Sequence, residues 1–290
     1  MKTENQLIED LLDLAFAEDI GDGDHTTLST IPEDAIGKSR LIIKEDGVLA
    51  GVDMALKVFE KLDPKIKTQV FIKDGSEVRK GDVAFVSEGP VRSLLIAERT
   101  MLNIMQRMSG VATMTRKYQN ELTGLHTKVL DTRKTTPGMR LLEKQAVKLG
   151  GGTNHRIGLF DMILIKDNHI DFAGGIEKAI DRAREYCAKN GKNLKIEVEV
   201  RSLDDIKRVM AHGGVDRIMF DNFSPELTKE AVKLVNGKYE TESSGGITLE
   251  NLRQYGEAGV DFISVGALTH SVKGLDMSFK AVDSPLSKFK

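Results

Sequence analysis

The chain has 290 residues, 42 lysines and arginines against 44 acidic residues, and a formal net charge of −2, a length that allows about two domains. The near-neutral balance excludes a surface built for nucleic acid or an anionic membrane, and the single cysteine excludes an intrachain disulfide framework or a thiolate zinc cluster. No run approaches the roughly 18 apolar residues of a membrane span; with the polar start Met1-Lys-Thr-Glu-Asn-Gln6, which lacks an apolar signal-type core, this predicts a soluble cytoplasmic protein.

Residues 1–110 read as an α+β, sandwich-like N-terminal domain, with runs of strands rather than strand–helix alternation. An opening helix spans Gln6 to Glu18, and the turn-rich loop Asp19 to Thr27 follows. β-type stretches run over Lys38–Leu49, Ile66–Ile72 and Asp82–Val91, with a helical pattern over Met54–Leu62. A long helical pattern from Leu94 to Leu122 leads into the second domain, with a break expected near Ser109-Gly110. The tail from 274 to 290 is expected to pack back on the first domain.

Residues 111–273 read as a βα-barrel domain, so the fold class is α/β with an incomplete barrel of six or seven strands. Six short apolar stretches run straight into polar or glycine residues: Lys128–Asp131, Met162–Ile165, Ile196–Val200, Arg217–Phe220, Tyr239 into Ser243-Ser244, and Phe262–Val265. Starts near Lys195, Asp216, Tyr239 and Asp261 lie 21 to 23 residues apart, the spacing of successive βα units. Ser202, Ser224 and Thr248 are N-cap candidates for the last three helices, which stop at Gly213-Gly214, Gly237 and Gly259. Cys187 falls in the helical stripe Ile176, Ile180, Ala183, Cys187, which predicts a buried structural thiol. The segment Thr135 to Arg156 is too long to be only a connection.

In such a barrel the C-terminal strand ends meet at one mouth, where active sites lie. The first two ends and the loop between them carry Thr132, Arg133, Lys134, Arg140, His155, Arg156 and Lys166. So many cations in one mouth repel one another unless a polyanion occupies it, and arginine's planar fork suits carboxylate or phosphate. Glu199 and Asp221 end the next two strands. Carboxylates beside phosphates point to Mg²⁺, which takes one or two protein ligands and keeps several waters. Ser244-Gly245-Gly246 and Gly266-Ala267 end the last two strands ahead of helices, where backbone N–H groups can hold a phosphate. The residues alone imply a phosphorylated sugar with Mg²⁺ and a carboxylate-rich second substrate.

The chain resembles the quinolinate phosphoribosyltransferase family, also called nicotinate-nucleotide pyrophosphorylase (carboxylating), over nearly its full length. The resemblance rests on Glu98-Arg-Thr-Met-Leu-Asn103 with Ser109-Gly-Val-Ala-Thr113, Asp131-Thr-Arg-Lys-Thr-Thr-Pro-Gly138, Gly151-Gly-Thr-Asn-His-Arg156 and Ile165-Lys-Asp-Asn-His169. Glu197-Val-Glu199, Phe220-Asp-Asn222, Ser244-Gly-Gly246 and Ser264-Val-Gly-Ala-Leu-Thr-His270 complete it. It implies transfer of a phosphoribosyl group from phosphoribosyl pyrophosphate to quinolinate with loss of CO₂, in NAD biosynthesis. In that reading Arg133, His155 and Arg156 grip the acceptor's two carboxylates, and Arg99 comes from the partner subunit of a homodimer or a higher oligomer. Lys134 and Lys166 lie between acceptor and phosphates. Glu199 and Asp221 hold the ribose hydroxyls and Mg²⁺–pyrophosphate, directly or through water. Ser244, Gly245, Gly246, Gly266, Ala267 and His270 seat the 5′-phosphate. Lys134, Lys166, Glu199 and Asp221 form the catalytic set, and Thr132 joins the substrate contacts.

Three rivals remain at this point. A Schiff-base aldolase would use Lys166 but leaves Arg133 and Arg156 without a role. A related phosphoribosyltransferase would take a different acceptor. A non-catalytic phosphate-binding module gains nothing from Glu199 and Asp221.

Overall fold

The computed structural model describes residues 2–282, and the chain divides into two compact units. One gathers the chain through 116, 135–151 and the residues from 271 onward; the other comprises 117–134 and 152–270. The boundaries expected at 110/111 and 273/274 therefore miss an excursion. Residues 135–151, expected in the barrel domain, belong with the first unit, because α5 (Arg140–Leu149) contributes Leu142, Ala146 and Val147 to that unit's core.

The first unit begins with α1 (Glu4–Ile20), where Thr3 accepts the Gln6 N–H and Gln6 returns the bond, a reciprocal capping box. A second helix, α2 (His25–Thr30), begins inside the expected loop because Asp24 accepts the Thr27 N–H at 3.0 Å and caps it. Then come β1 (Ile36–Ile43), β2 (Gly47–Val48), α3 (Val52–Leu62), β3 (Lys67–Val70), β4 (Glu77–Val78), β5 (Val83–Pro90) and α4 (Val91–Glu121), whose residues from 117 on belong to the second unit. Late in the chain, β12 (Met277–Ala281) pairs antiparallel with β1, giving a four-stranded sheet in the order β12-β1-β5-β3. The described part of the tail thus packs on the first domain, while 283–290 lie outside the described residues. Phe59, Phe85 and Phe279 meet at the centre of this core with ring centroids 6.0 to 6.1 Å apart.

The helix α4 runs unbroken through Ser109-Gly110. That pair serves close packing instead of a break. The Ser109 hydroxyl accepts the Ala50 N–H and donates to the Ala50 carbonyl, and any side chain at position 110 would strike the Lys273 carbonyl.

The second unit contains β6 (Lys128–Leu130), β7 (Ile163–Ile165), α6 (Asp167–Ala173), α7 (Ile176–Lys189), β8 (Ile196–Val200), α8 (Leu203–His212), β9 (Arg217–Asp221), α9 (Pro225–Val235), β10 (Glu240–Ser244), α10 (Leu252–Glu257), β11 (Phe262–Ser264) and α11 (Ala267–His270). All six strands are parallel, in the order β6-β11-β10-β9-β8-β7. Among the described residues β6 and β7 do not pair, and the free side of β6 carries one parallel bridge, Leu130 to Thr153. The barrel is six-stranded and open at that seam. Ser202 and Ser224 cap α8 and α9 as expected, but α10 starts at Leu252, not at Thr248, since the Asn251 side chain accepts the Thr248 N–H and holds a turn there. Cys187 is half-buried rather than buried, as only Ile176, Ala179 and Ile180 of α7 reach the core.

Candidate active site

Strand alternation decides which side chains meet inside the barrel. On β8, Val198 and Val200 are buried on one face while Glu197 and Glu199 share the other. On β9, Arg217, Met219 and Asp221 share a face, as do Glu240, Glu242 and Ser244 on β10. The upper members of these sets, together with Thr132, Arg133, Lys134, His155, Arg156, Leu164, Lys166, Asn222, Gly245, Gly246, Ile247, Thr248, Ser264, Gly266, Ala267 and His270, line a cavity of about 800 Å³ at the C-terminal strand ends.

Every residue expected in the site lines this cavity except Arg99 and Arg140. Both lie in the first unit. Arg140 donates to the Thr135 hydroxyl at 2.9 Å. Arg99 is exposed on α4, and no hydrogen bond or ion pair engages it among the described residues.

The cationic side is crowded. Arg156 is held below the ordinary arginine pKa first by burial and then by the charge of Arg133. Its guanidinium donates to the Met162 carbonyl at 3.3 Å. Lys134 is fixed by its main chain: its N–H donates to the Thr132 hydroxyl at 3.0 Å and its carbonyl accepts from Thr269 at 2.9 Å. Gly266 lets this loop come close, since a Cβ there would lie 3.0 Å from the His270 ring and 3.1 Å from the Lys134 side chain.

Carboxylates line the same cavity. Lys166 Nζ pairs with Glu199 Oε2 at 3.1 Å, and Asn222 donates to Asp221 Oδ2 at 2.9 Å. Asn222 has a left-handed backbone, φ 55°, and its N–H donates to the Ser244 carbonyl. Gly245, at φ +97°, has no room for a side chain, because a Cβ would strike Asn222 Oδ1. The glycine turn after β10 is therefore built on the residue that orients Asp221. Each carboxylate keeps an oxygen clear of these bonds, and hard oxygen donors of this kind suit Mg²⁺.

His155 differs from expectation in its orientation. Its Nδ1 accepts the Arg156 N–H at 2.8 Å, which leaves the proton on Nε2, and that proton points at Glu197 Oε2, 2.9 Å away. Both ring nitrogens are engaged within the protein. Glu242 Oε2 lies 3.5 Å from the same Nε2. Glu242 is fully buried, and burial followed by its neighbour Glu197 pushes its carboxyl up to about 8. Burial also raises Glu197.

Sequence reasoning passed over Asn222, Glu242 and Arg217. The period-2 alternation of β9 and β10 places the last two on the inner face and was sufficient to find them.

A domain model described as quinolinate phosphoribosyl transferase, N-terminal domain, matches residues 24–109, and its C-terminal counterpart matches 111–280. The probable nicotinate-nucleotide pyrophosphorylase (carboxylating) of Bacillus subtilis is 44% identical over 271 residues, covering 93% of this chain and 92% of that protein. The chloroplastic nicotinate-nucleotide pyrophosphorylase (carboxylating) of Oryza sativa is 45% identical over 293 residues, covering 96% and 78%. Among solved structures, the nicotinate-nucleotide pyrophosphorylase from Francisella tularensis aligns with a TM-score of 0.91 at 42% identity, covering 97% of this chain and 98% of that one. NadC from Streptococcus pyogenes aligns equally well, TM-score 0.91, at 40% identity. Both halves match in order, at 40% identity or more over nearly the full length, and the chain belongs to the quinolinate phosphoribosyltransferase family.

Proposed function

We propose that this protein transfers the phosphoribosyl group of phosphoribosyl pyrophosphate to quinolinate and releases pyrophosphate and CO₂, forming nicotinate mononucleotide for NAD biosynthesis. The observation that carries the reading is that two mutually repelling arginines, Arg133 and Arg156, line one cavity together with Glu199, Asp221 and two glycine turns. A dicarboxylate relieves the repulsion, while the carboxylates and turns suit a ribose and its phosphates.

In this reading Arg133 and Arg156 grip the acceptor and aim its ring nitrogen at the anomeric carbon. The nitrogen lone pair forms the new bond as the carbon–oxygen bond to pyrophosphate breaks. Glu199 and Asp221 face the positive charge that develops on the ribose. Lys134 and Lys166 bear on the departing phosphates. The alkylated ring nitrogen is then cationic, so the bond to the adjacent carboxyl can break with its electrons left beside that cation. CO₂ departs and the carbon takes a proton. No covalent enzyme intermediate is needed. Mg²⁺ belongs to this reading, held by Glu199 and Asp221 directly or through water, and when bound it neutralises the leaving pyrophosphate.

The protein acts as a homodimer in the cytoplasm in the same reading, with Arg99 completing the partner's cavity; further assembly is compatible with it. The unengaged, exposed Arg99 beside the exposed Leu95 supports this, as do exposed apolar side chains such as Phe172, 91% exposed, and Leu159, 73% exposed. A Schiff-base aldolase finds no support, because the arginine pair lining the cavity would have no task in it. Incubation with phosphoribosyl pyrophosphate, Mg²⁺ and either quinolinate or nicotinate separates the remaining readings. Turnover of quinolinate alone is expected; nicotinate turnover at the same rate would overturn the double-clamp reading.

A further inference from the structure

The barrel interior carries a buried layer of titratable side chains that reaches the cavity at Glu242 and that the transfer chemistry does not use. Glu197 and Glu242 are completely buried. Each has one carboxylate oxygen, Oε1, with no hydrogen-bond partner among the described residues. Their other oxygens converge on His155 Nε2, at 2.9 and 3.5 Å. Arg217 donates to Glu242 at 2.9 Å, lies 4.0 Å from Glu197, and rests 4.2 Å over the Phe262 ring.

His155, Glu197 and Glu242 bring ligand atoms within 4.8 Å of one another, a spacing that could hold a metal ion. The donor chemistry disagrees. Nε2 carries the ring proton because Nδ1 accepts a hydrogen bond from the Arg156 backbone N–H, and the Arg217 guanidinium already supplies the cation. As a stability device the layer is poor, since branched apolar side chains fill barrel interiors without the desolvation cost of buried ions. What the layer does have is a direct line upward: Arg217 to the two glutamates, the glutamates to the His155 ring, and the ring to the backbone N–H of Arg156, which lines the cavity.

We propose that Glu197, Glu242 and Arg217 are positioning residues for the acceptor: they lock the His155 ring, which fixes the backbone from which Arg156 enters the cavity, while the charge of Glu197 offsets the repulsion between Arg156 and Arg133. The cluster thus keeps the arginine pair in place before any carboxylate arrives. This rests on the assignment of that end of the cavity to a carboxylate acceptor.

The test uses the full chain, wild type, Glu197→Gln and Arg217→Lys. Calorimetry with quinolinate comes first, and a wild type that does not bind it overturns the acceptor assignment and this inference together. With binding established, Glu197→Gln should weaken quinolinate and raise its KM about 10-fold or more, the size expected when a partner of a binding group is lost, and leave the KM for phosphoribosyl pyrophosphate within about 2-fold. Arg217→Lys should shift the same constant in the same direction. Unchanged quinolinate affinity, or equal loss for both substrates, overturns the inference and leaves the acceptor assignment standing. Imidazole ¹⁵N NMR of the wild type adds a readout that needs no variant to fold: His155 should be neutral with its proton on Nε2, and a proton on Nδ1 overturns the proposal.

Discussion

At the scale of single residues, the site is a set of charges whose environments differ. Glu242 is the extreme case, with its carboxyl pushed up to about 8 by burial and by Glu197 beside it. An unfolded glutamate titrates near ~4.3, so folding takes up a proton between the two values. The contribution of this group to stability is fully present below the unfolded pKa and is lost as pH rises through the folded one, by at most about 1.4 kcal/mol per pH unit for one proton. Urea unfolding at pH 5.5, 7 and 8.5 should therefore show stability falling with pH in the wild type, and a shallower fall in Glu242→Gln. Equal slopes would contradict the assignment. Arg133 tests a different property, since lysine keeps the charge and loses the fork. Arg133→Lys should lower kcat/KM for quinolinate about 10-fold or more, equivalent to roughly 1.4 kcal/mol of transition-state stabilisation, and steady-state kinetics at saturating donor would reveal it.

Secondary-structure elements explain why the site was legible in the sequence and where it was not. Each barrel strand is a short apolar run whose last residues change character, so the strand ends could be read directly, and Lys166, Glu199, Asp221 and Ser244 line the cavity as expected. The inner faces below the mouth were not read, although Glu197, Arg217 and Glu242 follow from the same alternation, because a barrel interior is ordinarily apolar. The Ser109-Gly110 pair misled for a physical reason: glycine breaks helices in isolation, yet inside α4 it serves a close contact that local propensity cannot register. Residues 135–151 misled because the order of the chain does not disclose which core an amphipathic helix joins. The adjacency of β8 and β9 makes its own prediction, since it sets Glu199 and Asp221 on neighbouring strand ends. Asp221→Ala should weaken phosphoribosyl pyrophosphate about 10-fold or more, in keeping with a lost metal or hydroxyl partner, and leave quinolinate affinity nearly unchanged. Calorimetry showing the reverse pattern would reject the placement of ribose and metal at these strand ends.

At the scale of the whole molecule, the exposed Arg99 makes a prediction that single variants cannot. Arg99→Ala and Lys166→Ala should each be nearly inactive. Mixed after subunit exchange, about half the dimers are heterodimers, each with one intact site, so activity should recover to about a quarter of wild type for a two-fold dimer. Exchange is verified with differently tagged chains, and if it occurs without recovery, Arg99 does not act across the interface. Beneath this lies the central claim, that one cavity joins a dicarboxylate to a phosphoribosyl donor and removes a carboxyl from the product. The most direct measurement follows CO₂ from carboxyl-labelled quinolinate alongside pyrophosphate. Both should appear in equal amounts, and only when phosphoribosyl pyrophosphate and Mg²⁺ are present. Release of CO₂ without the donor, or pyrophosphate without CO₂, would contradict it.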